Sequence, residues 1–379
     1  MRIGILTLPL HTNYGGILQA YALQTVLERM GHEAVVIDKQ YTFKISFLKK
    51  CFAYPKRAIC KYILGDNRAI IRWEKVVSYQ NNIVRQYTQT FINKYIRCYK
   101  VNDISLLNKK DFDAIVVGSD QIWRPIYYPT IEHAYLDFAS SWNIKRIAYA
   151  PSFGVDTWEY SEEQTKSCKA LVKKFDAVSV REQSGVELCE RYFDVDAEWV
   201  LDPTMLLNAE DYIELFRASD TPQSEGNLLD YILDRDDDKE TMIRQVASKA
   251  NLKPFRMNSR VEDPTAPLEE RVQPPVEKWL RGFYDAKLVV TDSFHACVFS
   301  ILFKKPFVVV ANRERGLSRI ESLLGYFGLT NRIVDNTTEI ADLPDIDYEA
   351  VCEKFEGMRV KSIDFLKMHC NFNIKLNIQ

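Results

Sequence analysis

Strand-like and helix-like segments alternate along most of these 379 residues, which predicts an α/β protein of two domains with parallel sheets. Three observations carry this. Short apolar runs bounded by turn residues recur between amphipathic stretches. A strand runs into a helix through a polar turn once in each half, at Asn13-Tyr14-Gly15-Gly16 and at Thr291-Asp292-Ser293-Phe294-His295. The length exceeds one ordinary domain and suits two. Parallel strands joined by helices use right-handed crossovers and gather function at the strands' C-terminal ends. The two junctions therefore point to one site between two domains.

The elements follow in order. Residues 2–8 read as a buried strand, 16–30 as an amphipathic helix stopped by Gly31-His32, and 34–38 as a second strand. From about 46 to 97 the pattern is helical, with breaks expected at Pro55 and near Gly65-Asp66. The sheet resumes at 114–117 and 146–150, followed by a helix over 161–174, a strand over 177–180 and a helix opened by Arg181-Glu182. Leu201-Asp202-Pro203-Thr204 reads as the edge of the first domain. The second half begins with a strand over 227–233, a helix over 237–250 and a strand over 254–257. A helix over 276–283, a strand over 287–291, a helix over 294–303, a strand over 306–310 and a helix over 317–327 continue it. Apolar spacing makes the last thirty or so residues one long helix. This reading divides the chain into 1–205, carrying a helical insertion over about 42–100, then 206–350, then a C-terminal helix over 351–379.

The net charge of −2 hides an asymmetry. Residues 39–110 hold sixteen Lys and Arg against Asp66, Glu74 and Asp103, so they carry +13 and the rest of the chain −15. Residues 39–65 contain no acid and interleave Tyr41, Phe43, Phe47, Phe52, Tyr54 and Tyr62 with lysines. A basic, aromatic helix of this kind suits an anionic membrane surface, or packs on the first domain with its lysines solvated. Nucleic acid is not expected as a partner, because no nucleic-acid motif accompanies the charge. The eight cysteines are scattered without a CxxC pair, so reduced thiols, no metal and a cytoplasmic location are expected. The opening Met-Arg-Ile-Gly-Ile-Leu-Thr has too short an apolar run for a secretion signal, and no run approaches a membrane span.

The motifs carry the chemistry. Asn13, Gly15 and Gly16 open a helix whose bare N–H groups can meet an anion, although a plain tight turn needs the glycines too. Arg181 stands between a strand end and a helix start, where a guanidinium either grips a carboxylate or phosphate or pairs with Glu182. Asp120, after Gly118-Ser119, can orient a hydroxyl or a histidine, or cap the next turn. Ser293 can cap the helix after it or bond phosphate. Of the five histidines only His295 lies at a strand-to-helix junction inside a motif, which makes it the candidate general acid and base, with His11 second.

Taken together, Asn13-Tyr14-Gly15-Gly16 with Leu18-Gln19-Ala20-Tyr21-Ala22, Gly118-Ser119-Asp120-Gln121-Ile122-Trp123, Ser179-Val180-Arg181-Glu182, Leu201-Asp202-Pro203-Thr204, Thr291-Asp292-Ser293-Phe294-His295 and Ser318-Arg319-Ile320 resemble the polysaccharide pyruvyl transferase family. The resemblance implies two Rossmann-like domains in a GT-B-like arrangement. It implies phosphoenolpyruvate as co-substrate, with no further cofactor, and as acceptor a sugar of a cell-surface polysaccharide precursor, carried on polyprenyl pyrophosphate. The product would be a pyruvate ketal, and the enzyme would work at the inner face of the membrane. It gives His295 and Asp120 catalytic roles, Arg181, Ser293 and Arg319 the donor, and Asn13, Gly15, Gly16, Gln19 and Gln121 an acceptor or backbone-anion site. Ser293 stands where many members carry Arg, and Ala296 where Gly is common, so Arg319, Arg313 or Arg315 is expected to supply the missing cation. The rival reading on the same plan is a nucleotide-sugar-dependent glycosyltransferase.

Overall fold

The structure, a computed structural model, describes residues 1–39, 47–66, 68, 70–312, 316–335, 340 and 343–370. The first lobe opens with β1 (Arg2–Leu6), α1 (Tyr14–Arg29) and β2 (Glu33–Lys39). The inserted helices α2 (Phe47–Tyr62), α3 (Trp73–Val84) and α4 (Gln86–Tyr95) follow, leading to β3 (Cys98–Val101). Then come β4 (Ala114–Val117), β5 (Lys145–Ala148), α5 (Glu162–Val172), β6 (Ala177–Val180), α6 (Gln183–Leu188) and β7 (Glu198–Trp199). These strands form a seven-stranded parallel sheet in the order β3-β2-β1-β4-β5-β6-β7.

The second lobe contains α7 (Ala209–Arg217), β8 (Leu228–Tyr231), α8 (Asp237–Lys249), β9 (Pro254–Arg256), α9 (Val276–Asp285) and β10 (Leu288–Thr291). It continues through α10 (Phe294–Leu302), β11 (Phe307–Val310), α11 (Leu317–Phe327), β12 (Ile333–Val334) and α12 (Tyr348–Cys370). Its five strands are also parallel, in the order β12-β11-β10-β8-β9. Two parallel α/β sheets are thus what the alternating pattern predicts.

The strand orders locate the site. In the first sheet the connections run one way from β1 to β2 and the other way from β4 onward, with Gly4 in register with both Val35 and Ile115. In the second, β8 lies between β9 and β10, with Leu229 beside Phe255 and Val289. At such a reversal the loops diverge and leave a crevice beyond the strand ends. The Asn13–Gly16 and Gly118–Asp120 turns sit at the first reversal, and Ser293 and His295 sit at the second.

One apolar core runs through both lobes. It joins Tyr14 and Ile17 of α1 to Trp279 and Phe283 of α9, Phe299 of α10, and Phe365 and Leu366 of α12. Separate clusters cover the outer faces of the first sheet, with Trp123 and Phe193, and of the second, with Val290 and Ile243. α12 returns to the first lobe. Its Ser362 Oγ accepts from Leu201 N (3.0 Å), and Phe365 packs against Tyr149 with ring centroids 6.1 Å apart.

Some elements differ from expectation. The periodicity misses β3, β12 and α7, each short or half-buried, and β3 exists because its backbone pairs with β2. Pro55 does not break α2. The carbonyl of Cys51, four residues back, loses its helical donor on an exposed side where water can meet it. Tyr41 and Phe43 lie outside the described residues, as does the end of the C-terminal helix expected over 371–379. Among the described residues no helix is long and apolar enough to cross a membrane.

Candidate active site

The first turn of α1 is fitted to the second lobe. Asn13 caps it, its Oδ1 accepting from Gly16 N (3.2 Å). A Cβ at Gly15 would stand 2.0 Å from His295 Nδ1, so the imidazole occupies the space a side chain would need. Tyr14 stacks on Trp279 at 5.3 Å and donates from its hydroxyl to Pro274 O (2.7 Å). Gln19 ties this turn to the next. Its amide nitrogen donates to Thr7 Oγ1 and Gly16 O, both at 2.9 Å, and its Oε1 accepts from Ser119 N (3.0 Å). Fully buried and spent on protein bonds, Gln19 holds the two turns in place rather than facing a ligand.

Asp202 is the centre of the arrangement. Its Oδ1 accepts from Thr204 N (3.0 Å) and Thr204 Oγ1 (2.7 Å). Its Oδ2 accepts from Arg181 Nη1 (2.8 Å) and Ser119 Oγ (3.2 Å), and lies 3.6 Å from His295 Nε2. Burial alone would raise this carboxyl. His295, Arg181 and Thr204 outweigh it and hold Asp202 well below the usual carboxylate range. The last separation is too long for a direct bond, so His295 Nε2 is buried without a hydrogen-bond partner.

Two guanidiniums flank the same ring. Arg181 Cζ lies 4.5 Å and Arg319 Cζ 5.7 Å from the centroid of Phe294, the residue before His295. Burial, and then the charge of Arg181, push Arg319 down to about 10. Arg181 is buried, with Nη2 3.5 Å from Asp120 Oδ1, and its Nε and Nη2 make no hydrogen bond. Gln121 Nε2 and Glu182 Oε2 are likewise buried without partners. Glu182 Oε1 accepts from Ser152 Oγ (2.9 Å) and Phe153 N (2.8 Å), and burial pushes its carboxyl up.

A cavity of about 620 Å³ opens in front of His295. Asn13, Gly15, Ser293 and His295 form its inner wall, and Arg235, Arg256, Asn258 and Arg260 line it from the second lobe. Arg181, Asp120, Asp202 and Arg319 lie behind that wall and are buried. A volume of this size fits an ordinary small-molecule ligand. It exceeds what a three-carbon phosphoester fills.

The structure brings His295, Ser293, Asn13, Gly15 and Gly16 together, with Arg181, Arg319 and Asp120 directly behind them. Besides Gln19, four expectations need correction. The carboxylate beside His295 is Asp202, not Asp120, whose Oδ1 caps the next turn by accepting from Gln121 N (2.9 Å). Ser293 gives α10 no side-chain cap, and its place is on the cavity wall. Gln121 faces Gly154 rather than the cavity: a Cβ at Gly154 would meet its Nε2 at 2.0 Å. His11 is pushed down to about 4 by burial and then by Arg85; its Nδ1 is bonded to Thr12 Oγ1 (3.0 Å), and Thr12, not His11, lines the cavity. Arg313 and Arg315 lie outside the described residues. Sequence reasoning missed Asp202 as a site residue. Its signal was the Asp-Pro-Thr motif, read as a domain edge and as part of the family resemblance but given no role in the site. Among the described residues no group of His, Cys, Asp and Glu is placed to hold a metal.

Comparison with known proteins adds a family. Residues 13–314 match the family described as polysaccharide pyruvyl transferase. No curated protein matches the chain in sequence. Similar solved structures include a glycosyltransferase from Rickettsia africae, 10% identical with TM-score 0.48 over 98% of this chain and 99% of that one. UDP-GlcNAc 2-epimerase from Neisseria meningitidis, bound to UDP-GlcNAc, is 11% identical with TM-score 0.46 over 97% and 99% of the two chains. The E. coli heptosyltransferase WaaC with ADP is 13% identical with TM-score 0.39 over 94% and 100%.

Proposed function

The chain belongs to the polysaccharide pyruvyl transferase family and is a transferase, and from that premise we propose that it joins pyruvate from phosphoenolpyruvate to two hydroxyls of one sugar. The acceptor in this reading is a polysaccharide precursor carried on polyprenyl pyrophosphate. Peripheral attachment at the inner membrane face would suit it. Phosphoenolpyruvate is a co-substrate here, not a resident cofactor.

One observation carries the donor reading. Arg181 Nε and Nη2 and His295 Nε2 are all buried polar atoms without a hydrogen-bond partner. Buried donors left unmade cost about 1–3 kcal/mol each, so such a group calls for a bound acceptor. A carboxylate or phosphate set against Arg181 and Arg319 would meet these donors and relieve the repulsion between the two cations.

In the proposed reaction a sugar oxygen bonds to C2 of the enol while C3 takes a proton and becomes a methyl group. The second sugar oxygen then displaces phosphate from C2, closing the ketal. Of the two hydroxyl protons released, one ends on C3 and the other on phosphate, so atoms and charge balance. His295 is the group to carry a proton between hydroxyl and C3. Asp202, 3.6 Å from Nε2, would stabilise the charged form of the imidazole through its negative charge. The cavity beside Asn13, Ser293 and Arg235 would hold the sugar.

The test pairs binding with turnover. Phosphoenolpyruvate should raise the melting temperature, whereas UDP, GDP and CMP should not; the reverse pattern would identify a glycosyltransferase. His295→Ala should lower kcat for phosphate release roughly a hundredfold or more, and Arg181→Ala should mainly raise KM for the donor. Near-normal rates in both variants would refute the residue roles while leaving the family intact.

A further inference from the structure

We propose that the inserted helix α2 is a docking surface for an anionic lipid bilayer. None of its described side chains is buried, so it contributes nothing to either core. Phe52 is 79%, Ile59 48%, Ile63 75% and Leu64 71% exposed. At about 100° per residue, Phe52 and Ile59 fall within roughly 20° of one line along the helix, and Ile63, in the turn just past its end, donates its N–H to Ile59 O (2.9 Å) and extends that line. Lys49 and Lys56 stand beside that line, about 40–60° away by the same arithmetic. Arg57 faces the other way. Its Nη1 donates to Glu74 Oε1 of α3 (2.7 Å) and to Ile71 O (3.2 Å), which turns the apolar stripe outward.

Charge selects the occupant. A stripe of this size exposed to water marks an interaction surface, and here it lies in a stretch, residues 39–65, without one Asp or Glu. A bilayer with anionic headgroups complements both parts. The aromatic and aliphatic side chains enter the boundary between headgroups and acyl chains while the flanking lysines meet the phosphates. This surface lies on the insertion, apart from the residues around His295, and its occupancy does not depend on the ketal chemistry.

The experiment uses the full chain without donor or acceptor. It measures co-sedimentation with vesicles of phosphatidylcholine alone and with added phosphatidylglycerol, at low and high salt. Binding should require phosphatidylglycerol and weaken with salt. Lys49→Ser with Lys56→Ser should weaken it about twenty-five-fold, at roughly fivefold per lysine near the surface. Phe52→Ser with Ile59→Ser and Ile63→Ser should weaken it at least tenfold, with the melting temperature unchanged in both variants. A chain that stays in the supernatant with anionic vesicles, or variants that bind like the parent, would overturn the proposal. So would a dimer in solution that the stripe variant dissociates, since a second copy would then be the occupant.

Discussion

At the residue scale, Asp202 gathers the polar groups of the cleft, with Arg181, Ser119 and His295 around it. Its carboxylate balances Arg181 at 2.8 Å and sits 3.6 Å from His295, so one charge faces a guanidinium and an imidazole together. Asp202→Asn should cost roughly a hundredfold or more in kcat. It should also cost about 3 kcal/mol of stability at neutral pH, because buried Arg181 loses its closer counter-charge and keeps the farther Asp120 at 3.5 Å. The pH dependence separates the two effects. The native carboxyl lies well below its unfolded value of about 3.9, so its contribution is complete above roughly pH 5 and is lost as pH falls through the native value. Urea denaturation of both proteins from pH 7 down to pH 3 should show their stability difference constant at first and then shrinking. A difference that persists unchanged at pH 3 would remove the ion pair as its cause. His295 was legible in the sequence because it sits in a strand-to-helix junction. Asp202 was not, because its importance comes from Arg181, Ser119 and His295 converging on it from three separate segments.

At the element scale, the lobes meet through glycines in tight turns. Gly316 has φ +84° at the start of α11, and a Cβ there would stand 1.9 Å from Gly154 O of the first lobe. Gly316→Ala should therefore cost on the order of 2–3 kcal/mol from left-handed strain and overpacking together. It should also lower kcat/KM at least tenfold, because α11 carries Arg319 to the cluster behind His295. If melting temperature and kcat/KM both stay at the parent values, these turns do not touch in solution. The periodic elements were readable from the sequence: α11 runs over the residues its pattern marks, and β4 and β6 likewise. The short ones were not. β3 has no buried residue and β12 has two residues, so each owes its existence to a neighbouring strand that no local pattern reveals.

At the scale of the whole molecule, the continuous core makes two lobes one unit. Tyr14 of the first lobe stacks on Trp279 of the second, and α12 packs Phe365 back onto Tyr149. Lobes joined by polar surfaces separate easily, while a large apolar contact resists separation. Thermal unfolding should thus give one calorimetric transition whose van 't Hoff and calorimetric enthalpies agree, despite the chain's size. Two resolved transitions would show that the lobes fold apart. The two-sheet plan was legible from alternation alone. The sharing of one core was not, since apolar periodicity shows that a face is buried and not which lobe buries it.

Arg181 is buried behind the imidazole wall, and in the proposed reaction that position would set the order of events. A small anion that reaches this guanidinium must first cross the space a sugar later fills. In that reaction binding should therefore be compulsory-ordered, with the phosphoester first and the carbohydrate second, and inorganic phosphate should leave last. An early-arriving carbohydrate should act as a plug, so that phosphate release slows at saturating acceptor.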